Sequence, residues 1–135
     1  MPECYEVMRM AHYLTDNGFK DTTIAHFEFC NRGERLLKNC NKAEFTSRLI
    51  NQDLIHIQTK AKFTFIQLKY DVLEWHYRFT GIPHIENVPY NDRLYSIYTL
   101  PISSQTPQRH IRFKLFTSKG YCLNYVDTRC LSTLI

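Results

Sequence analysis

The chain has 135 residues, of which 44% are hydrophobic and 14% aromatic, and its formal net charge is +4. This length suits one domain with a real core and excludes a disordered chain, and the charge is compatible with nucleic acid but weaker than a basic tail would give. No apolar run approaches 18 residues and no signal-peptide pattern opens the chain, so we expect no membrane segment.

The first predicted element is a helix from Pro2 to about Asn17. Its apolar residues form one stripe at the helical period, namely Val7, Met10, Ala11 and Leu14. Pro2 and Glu3 suit a first turn, because Pro needs no amide partner there and carboxylates meet the positive end of the helix dipole. Gly18 suits the end of the helix, since Gly readily adopts positive φ.

Most of the remaining chain has the pattern of short strands, rich in β-branched and aromatic residues. The predicted strands are Thr22–Phe29, Leu54–Thr59, Phe63–Leu68, Val72–Phe79, Arg93–Leu100, His110–Phe116 and Tyr121–Val126. Leu54–Thr59 alternates at period two, which is typical of a half-buried strand.

The segments between these strands have polar or turn-forming residues. We expect loops at Asn31–Asn41 and Pro101–Pro107, and a break in strand structure at Thr80–Pro83. Ala43–Ile50 is predicted to be a short helix whose inward residues are Phe45, Leu49 and Ile50.

Two tight turns, at Asp71 and at Ser118–Gly120, each join neighbouring predicted strands into a hairpin. Several short strands behind a single helix are typical of one architecture. We therefore predict a mainly β fold with an N-terminal α-helix, arranged as a two-layer antiparallel β-sandwich or flattened barrel.

The N-terminus carries the candidate chemistry. An initiator Met is readily removed before a small residue such as Pro2, which leaves a secondary amine at the new terminus. Such an amine can attack an electrophilic carbon and form an iminium, and Glu3 can move protons in the same step. The same residues also suit a plain helix start with a solvated carboxylate, so they do not decide between these interpretations alone.

The cysteines and histidines give no sign of a metal or cofactor site. The five cysteines form no Cys-x-x-Cys pair, and we expect reduced thiols in a cytosolic protein and no metal. The chain also lacks a Gly-rich phosphate loop, a His-Glu-x-x-His motif and a Gly-x-Ser-x-Gly motif, so we expect no cofactor.

Five segments, in order along the chain, carry a resemblance to a known family. They are Met1–Val7, Ala61–Lys62, Phe79–Gly81, His110–Phe113 and Asp127–Ser132. Together they resemble the N-terminal domain of the formamidopyrimidine-DNA glycosylase and endonuclease VIII (Fpg/Nei) family of DNA glycosylase/AP lyases, whose members begin Met-Pro-Glu and run straight into a helix. The resemblance covers essentially the whole chain and implies that family's β-sandwich.

The resemblance also implies roles at the N-terminus. Pro2 matches the nucleophile that attacks the sugar C1′ of a damaged nucleotide or an abasic site. Glu3 matches the acid/base that protonates the sugar ring oxygen. A different N-terminal-proline enzyme, of the tautomerase type, is disfavoured because those chains begin with an apolar strand.

Five further residues match DNA-contacting positions of the family. The resemblance places Lys62 and His76 beside the backbone phosphates, where fixed cations position the strand. It implies that Arg129, Phe79 and Leu131 fill the gap left by a flipped base. Without the resemblance, Lys62 reads as a solvated strand-edge Lys and the others as ordinary strand-end residues.

The chain departs from the family pattern at several of these segments. Cys4-Tyr5 stands where the family has Gly-Pro or Leu-Pro, Phe79 replaces Met, and Ala61 replaces Gly before Lys62. Cys130-Leu131-Ser132 replaces Arg-Phe-Gly. These changes affect the gap-filling positions more than the Pro2 and Glu3 pair.

The resemblance also sets the expected domain organisation. We expect residues 1–135 to form a single domain, without the helix-two-turns-helix and zinc-finger domains with which the family continues. The chain is then either a truncated form or a natural one-domain relative, and both remain open.

Two functions follow from the resemblance. One is a DNA base-excision-repair glycosylase/AP lyase domain acting through a Pro2 Schiff base; the alternative is a non-catalytic DNA-binding module. The expected partner is damaged or abasic double-stranded DNA, and self-association is expected through the face that a second domain would cover. The expected location is the cytoplasm, with association to the nucleoid in a bacterium.

Overall fold

A computed structural model gives the fold of the chain and describes residues 4–38, 40–77, 81–86, 110–127 and 133–134. The elements are helix α1 Cys4–Asp16, strand β1 Thr22–Phe29, a 3-10 turn Gly33–Leu36, helix α2 Lys42–Leu49, and strands β2 Asp53–Lys60, β3 Phe63–Leu68, β4 Val72–His76, β5 Gly81–Ile85, β6 Ile111–Thr117, β7 Cys122–Asp127 and β8 Thr133–Leu134. Neither α-helix in these ranges has the length and apolar character needed to span a membrane.

Helix α1 forms because its apolar residues face one side and bury there. All four residues of the predicted stripe are buried, and Tyr13 is buried with them. The amide of Phe19 donates to the carbonyl of Leu14 at 3.0 Å, and Gly18 takes a φ of +98°. These features end the helix close to where the sequence predicts, so the predicted N-terminal helix is confirmed over the described residues.

The strands form one sheet in the order β5-β7-β6-β1-β2-β3-β4-β8, and every pairing is antiparallel. The sheet folds back on itself, because the Trp75 ring on β4 lies 4.7 Å from that of Tyr125 on β7 and 5.4 Å from that of Phe113 on β6. Aromatic burial on this scale dominates the energetics of a small core. The predicted mainly β, two-layer architecture is confirmed.

Strand β2 departs from simple alternation. Leu54 and Ile57 are both buried although they are three positions apart, while Ile55 is 45% exposed. A register shift between Leu54 and His56 adds one residue to this strand, and such a bulge moves the following side chains to the opposite face. The uninterrupted period-two alternation predicted for Leu54–Thr59 is therefore wrong, because the bulge moves the side chains that follow it to the opposite face of the sheet.

The predicted break at Thr80–Pro83 is wrong over the described part of that segment. Gly81–Ile85 is strand β5, and its Pro83 lies opposite Tyr125 of β7. Because β5 ends the sheet order, Pro83 needs to satisfy a ladder on one side only, and edge strands tolerate Pro for this reason.

The predicted short helix is confirmed as α2. The Asn41 side chain caps it by accepting a hydrogen bond from the Glu44 amide at 2.9 Å. Phe45 and Leu49 are buried as predicted, whereas Ile50 is half-buried. Part of the loop predicted before this helix forms the 3-10 turn, and the predicted strand Arg93–Leu100 and loop Pro101–Pro107 lie outside the described residues.

Both predicted hairpins are confirmed. Strands β3 and β4 pair about the turn before Asp71, where the Leu68 amide donates to the Asp71 carbonyl at 2.8 Å. Strands β6 and β7 pair across the turn that contains Gly120, whose φ is +89°. Local turn chemistry was therefore a sound guide to strand pairing.

Candidate functional site

Lys62 lies on the two-residue turn that joins β2 to β3. Lys60 and Phe63 stand opposite each other as the closing pair of this hairpin. The first turn residue, Ala61, takes a φ of 54°, in the left-handed region that favours Gly. A Gly at this position, as in the family pattern, adopts this conformation without strain, and the hairpin here keeps it with Ala.

His76 ends β4 beside this turn. It lies opposite Phe63 on β3, and the two rings are stacked with their centroids 4.5 Å apart. His76 is only 9% exposed. On its other side it lies opposite Thr133, the first residue of β8.

The structure therefore brings two of the predicted site residues to one end of the sheet. Lys62 directly precedes Phe63, the residue that stacks on His76. The other five predicted residues lie outside the described residues; they are Pro2, Glu3, Phe79, Arg129 and Leu131. In the chain they directly flank described elements: α1 begins one residue after Glu3, and β8 begins two residues after Leu131.

A row of aromatic side chains extends from Lys62 along β3. Phe63 and Phe65 are half-buried, and their ring centroids are 6.3 Å apart. Neither Phe63 nor Phe65 was predicted to belong to the site. Their alternation with the buried Thr64 and Ile66 places them together on one face, and that pattern could have indicated a shared surface.

Tyr13 fixes α1 against the sheet. The Ile85 amide of β5 donates to the Tyr13 hydroxyl at 2.8 Å, and that hydroxyl donates to the Ile85 carbonyl at 3.4 Å. Burial raises the pKa of Tyr13 well above its usual value, so it stays a neutral hydrogen-bonding group. Sequence reasoning missed this residue, although its place beside the apolar stripe of α1 indicated burial.

The described residues contain no group of three or more His, Cys, Asp or Glu side chains arranged to hold a metal ion. Among the described side chains, Cys30, Cys40 and Cys122 are free thiols. Burial raises the pKa of Cys122 to about 12, which keeps that thiol protonated and poorly nucleophilic.

Comparison with family models gives one decisive match. The model of the formamidopyrimidine-DNA glycosylase N-terminal domain matches residues 1–134. The chain belongs to this family. The expected resemblance is thereby confirmed for almost the whole chain, and it includes the Met1-Pro2-Glu3 start.

Solved structures of this family share the fold. The Lactococcus lactis Fpg (MutM), solved with DNA containing an N7-benzyl-Fapy-dG, is 17% identical with a TM-score of 0.73. A MutM solved with DNA containing a carbocyclic 8-oxo-G is 18% identical with the same TM-score. At these identities the likeness shows the fold alone.

The match is unequal in length. It covers 98% of this chain but only 42% of the Lactococcus lactis protein and 43% of the other MutM chain. The chain thus spans about two fifths of the solved family members that it matches. Comparison with the curated proteins gave no match.

Proposed function

We propose that this chain is the catalytic N-terminal part of a DNA glycosylase/AP lyase that removes damaged bases through the amine of Pro2. The observation that carries the proposal is the family match from residue 1, which includes the Pro2 and Glu3 positions. The solved relatives were crystallised with DNA that carries modified nucleotides, and this supports damaged or abasic double-stranded DNA as the partner.

The packing of α1 on β2, the strand that leads to Lys62, is compatible with the same site. The Asp21 amide, just beyond the helix end, donates to the Leu54 carbonyl near the start of β2 at 2.9 Å. Helix α1 packs mainly on β2 and contacts β3 and β5 as well. Thirteen helical residues extend about 20 Å and eight strand residues about 26 Å, so α1 is long enough to span most of β2 from the Leu54 end.

The chemistry proposed for this end has three steps. The Pro2 nitrogen donates its electron pair to C1′, and the base departs with the glycosidic electron pair and takes up the proton that the Pro2 N–H releases. Glu3 then protonates the ring oxygen as the C1′–O bond breaks, and the sugar opens to the iminium. The resulting iminium acidifies the C2′ proton, and loss of that proton expels the 3′ phosphate as the C3′–O bond breaks. Water then hydrolyses the iminium and returns the free Pro2 amine.

The remaining residues proposed for the site hold the DNA. Lys62 and His76, which lie close together at one end of the sheet, contact backbone phosphates and fix the strand beside the lesion. Arg129, Phe79 and Leu131 fill the space that the extruded nucleotide leaves, which offsets part of the cost of unstacking. The polyanionic partner makes binding strongly dependent on salt.

A non-catalytic DNA-binding module is the second candidate. The observation that favours it is the Cys130-Leu131-Ser132 segment, which lacks one basic group and the Gly of the family pattern. Under this alternative the domain binds DNA and forms no covalent intermediate.

One experiment distinguishes the two candidates. Intact mass first establishes whether Met1 is removed, and the protein is then mixed with abasic-site duplex and sodium borohydride. We expect a covalent adduct whose DNA is attached to the N-terminal peptide, and no adduct from protein whose N-terminal amine is blocked or still covered by Met1. Absence of an adduct from folded, Met-free protein, both alone and with the C-terminal part of a family member added, contradicts the proposal.

A further inference from the structure

The structure contains a second surface feature that the proposed function does not use. A cavity of about 450 Å³ opens between α2 and the β3–β4 hairpin. We call it the α2 cleft; its lining residues include Phe45, Leu49, Phe65, Leu73, Glu44 and Glu74. Its volume lies within the range of about 300–1,000 Å³ that is typical of ligand-binding clefts.

The α2 cleft is acidic, although the chain as a whole has a formal charge of +4. Its lining includes the three carboxylates of Glu44, Asp71 and Glu74, and one basic side chain, Arg48. Arg48 is already paired, because its Nε and Nη2 donate to the two Asp71 carboxylate oxygens at 3.0 and 2.6 Å. Glu44 and Glu74 therefore remain as the excess negative charge beside an apolar floor.

The walls of the α2 cleft are tied together. Besides the two bonds from Arg48, the side-chain Nε2 of Gln52 donates to the Asp71 carboxylate at 2.8 Å and to the Arg48 backbone carbonyl at 2.7 Å. The Tyr70 amide also donates to the Gln52 side chain at 3.0 Å. These bonds join the end of α2 to the β3–β4 turn, and a pre-organised cleft loses less entropy when it binds.

The apolar surface continues past the opening of the cleft. Val72, which lines it, is 52% exposed, and neighbouring Tyr70 is 76% exposed. An apolar floor, an acidic rim and an exposed apolar border match a peptide with a bulky apolar side chain next to a cationic one. Duplex DNA does not match this surface, because the phosphates would meet the carboxylates.

We propose that the α2 cleft is a docking site for a short segment of a partner protein that presents a Lys or Arg beside a bulky apolar residue. The apolar side chain enters between Phe45 and Leu73, and the cation lies between Glu44 and Glu74. The cleft shares Phe65 with the aromatic row that extends from Lys62. The proposal uses none of the residues proposed to hold DNA, and it does not depend on the glycosylase proposal.

Cys40 offers a direct readout of occupancy. It is half-buried, it is a free thiol, and it lines the α2 cleft. The probe is an eight-residue capped peptide of alternating Leu and Arg, compared with a matched peptide of alternating Leu and Glu. Mass spectrometry of tryptic peptides measures the rate at which iodoacetamide labels Cys40, with Cys30 as the internal reference thiol.

We expect the Leu/Arg peptide to bind saturably and to slow labelling of Cys40 while labelling of Cys30 is unchanged. Replacing both carboxylates, in Glu44→Gln with Glu74→Gln, should weaken binding about tenfold, as the loss of two partly exposed ion pairs predicts. Glu44 is exposed and Glu74 is half-buried, and circular dichroism verifies that the double variant folds.

Three outcomes overturn the proposal: equal binding of the two peptides, equal affinity of the double variant, and unchanged labelling of Cys40. Sedimentation of the free protein tests a fourth outcome. If the wild type is a dimer and the double variant is a monomer, a second copy of the chain occupies the cleft, and the proposed partner segment does not. Borohydride trapping on abasic DNA is measured in parallel. Since Glu44 and Glu74 are not part of the DNA site, trapping that persists in the double variant distinguishes failure of this proposal from failure of the glycosylase proposal.

Discussion

Phe63 and His76 face each other across β3 and β4 with their rings stacked, and this contact holds the β2–β3 turn against the end of β4. Lys62 is the second residue of the two-residue turn that the Lys60–Phe63 pair closes, so paired strands fix its backbone position on both sides. A cation on a rigid turn loses little entropy when it meets a phosphate. This arrangement suits Lys62 for positioning a DNA backbone.

The first prediction concerns that lysine. Replacing it, in Lys62→Gln, should weaken binding to abasic duplex and reduce the slope of log K against log salt by about 1, because one phosphate contact is lost. Fluorescence anisotropy over a range of salt concentrations measures both values. Lys119→Gln, at the exposed β6–β7 turn, is the matched control and should leave the slope unchanged. Equal slopes for wild type and Lys62→Gln would remove Lys62 from the DNA interface.

The elements that the sequence predicted well are those with a complete local signal. Helix α1 has its own apolar stripe and a terminal Gly18, and the strand Thr22–Phe29 was predicted with the bounds that the structure has. The β6–β7 hairpin has its own turn residues. Periodicity and turn chemistry act within a few residues, so the sequence alone reveals them.

The features that the sequence did not predict depend on distant residues. From the sequence alone, Pro83 indicates a break, because Pro has no amide N–H to donate to a strand pairing. A strand is tolerated here because β5 is an edge strand that pairs only with β7, where Tyr125 lies opposite Pro83. The bulge in β2 is equally invisible, because Leu54 and Ile57 fit an uninterrupted strand until their partners are known. The pairing of Phe63 with His76 depends on register in the same way, so periodicity alone could not predict that Lys62 and His76 lie at one end of the sheet.

A second prediction concerns Gly33, which lies against the backbone of β6. A Cβ added at Gly33 would lie 1.6 Å from the Arg112 carbonyl oxygen. That oxygen also accepts a hydrogen bond from the Cys30 amide at 2.8 Å, so the backbone there cannot move without breaking a bond. Gly33→Ala should therefore lower the free energy of unfolding by about 3 kcal/mol.

Gly120 provides the control for this substitution. A Cβ at Gly120 meets nothing within 4 Å, but its φ of +89° is unfavourable for other residues. Gly120→Ala should cost about 1 kcal/mol from backbone strain alone. Urea unfolding of the two variants measures the difference. If Gly33→Ala is no more destabilising than Gly120→Ala, the close approach to Arg112 is not a constraint on folding.

The third prediction is the acid response of Asp71. A hydrogen bond from Gln52, and then the Arg48 guanidinium, lower the pKa of this carboxyl below its usual 3.8. A lowered folded-state pKa means that the carboxylate stabilises the fold fully above pH 3.8 and loses that effect as the pH falls towards the folded-state value. At pH 7, Asp71→Asn should lower the free energy of unfolding by about 1 kcal/mol, a modest value because Arg48 is largely exposed.

The pH dependence tests this assignment. Urea unfolding at pH 7 and in steps below pH 4 should show the gap between wild type and Asp71→Asn closing as the solution becomes more acidic. Asp53→Asn is a control on the same sheet, where Asp53 accepts one hydrogen bond from Thr23 at an exposed site. A gap for Asp71→Asn that is constant with pH would assign its effect to shape and not to charge.

The last prediction concerns His84 on β5. Burial lowers the pKa of His84 below its usual 6.5, and the Glu86 carboxylate opposes this with a smaller effect. A basic group whose folded-state pKa is lowered binds its proton more readily in the unfolded chain. Its contribution to the free energy of unfolding is therefore complete above pH 6.5 and falls as the pH drops below that value.

His84→Gln should flatten the fall in the free energy of unfolding between pH 7 and pH 5, while His56→Gln, at an exposed position on β2, should keep the wild-type profile. Urea unfolding across this range measures the three profiles. If His84→Gln parallels the wild type, another group within the fold accounts for the acid sensitivity, and burial of His84 on the β5 edge does not couple this strand to pH.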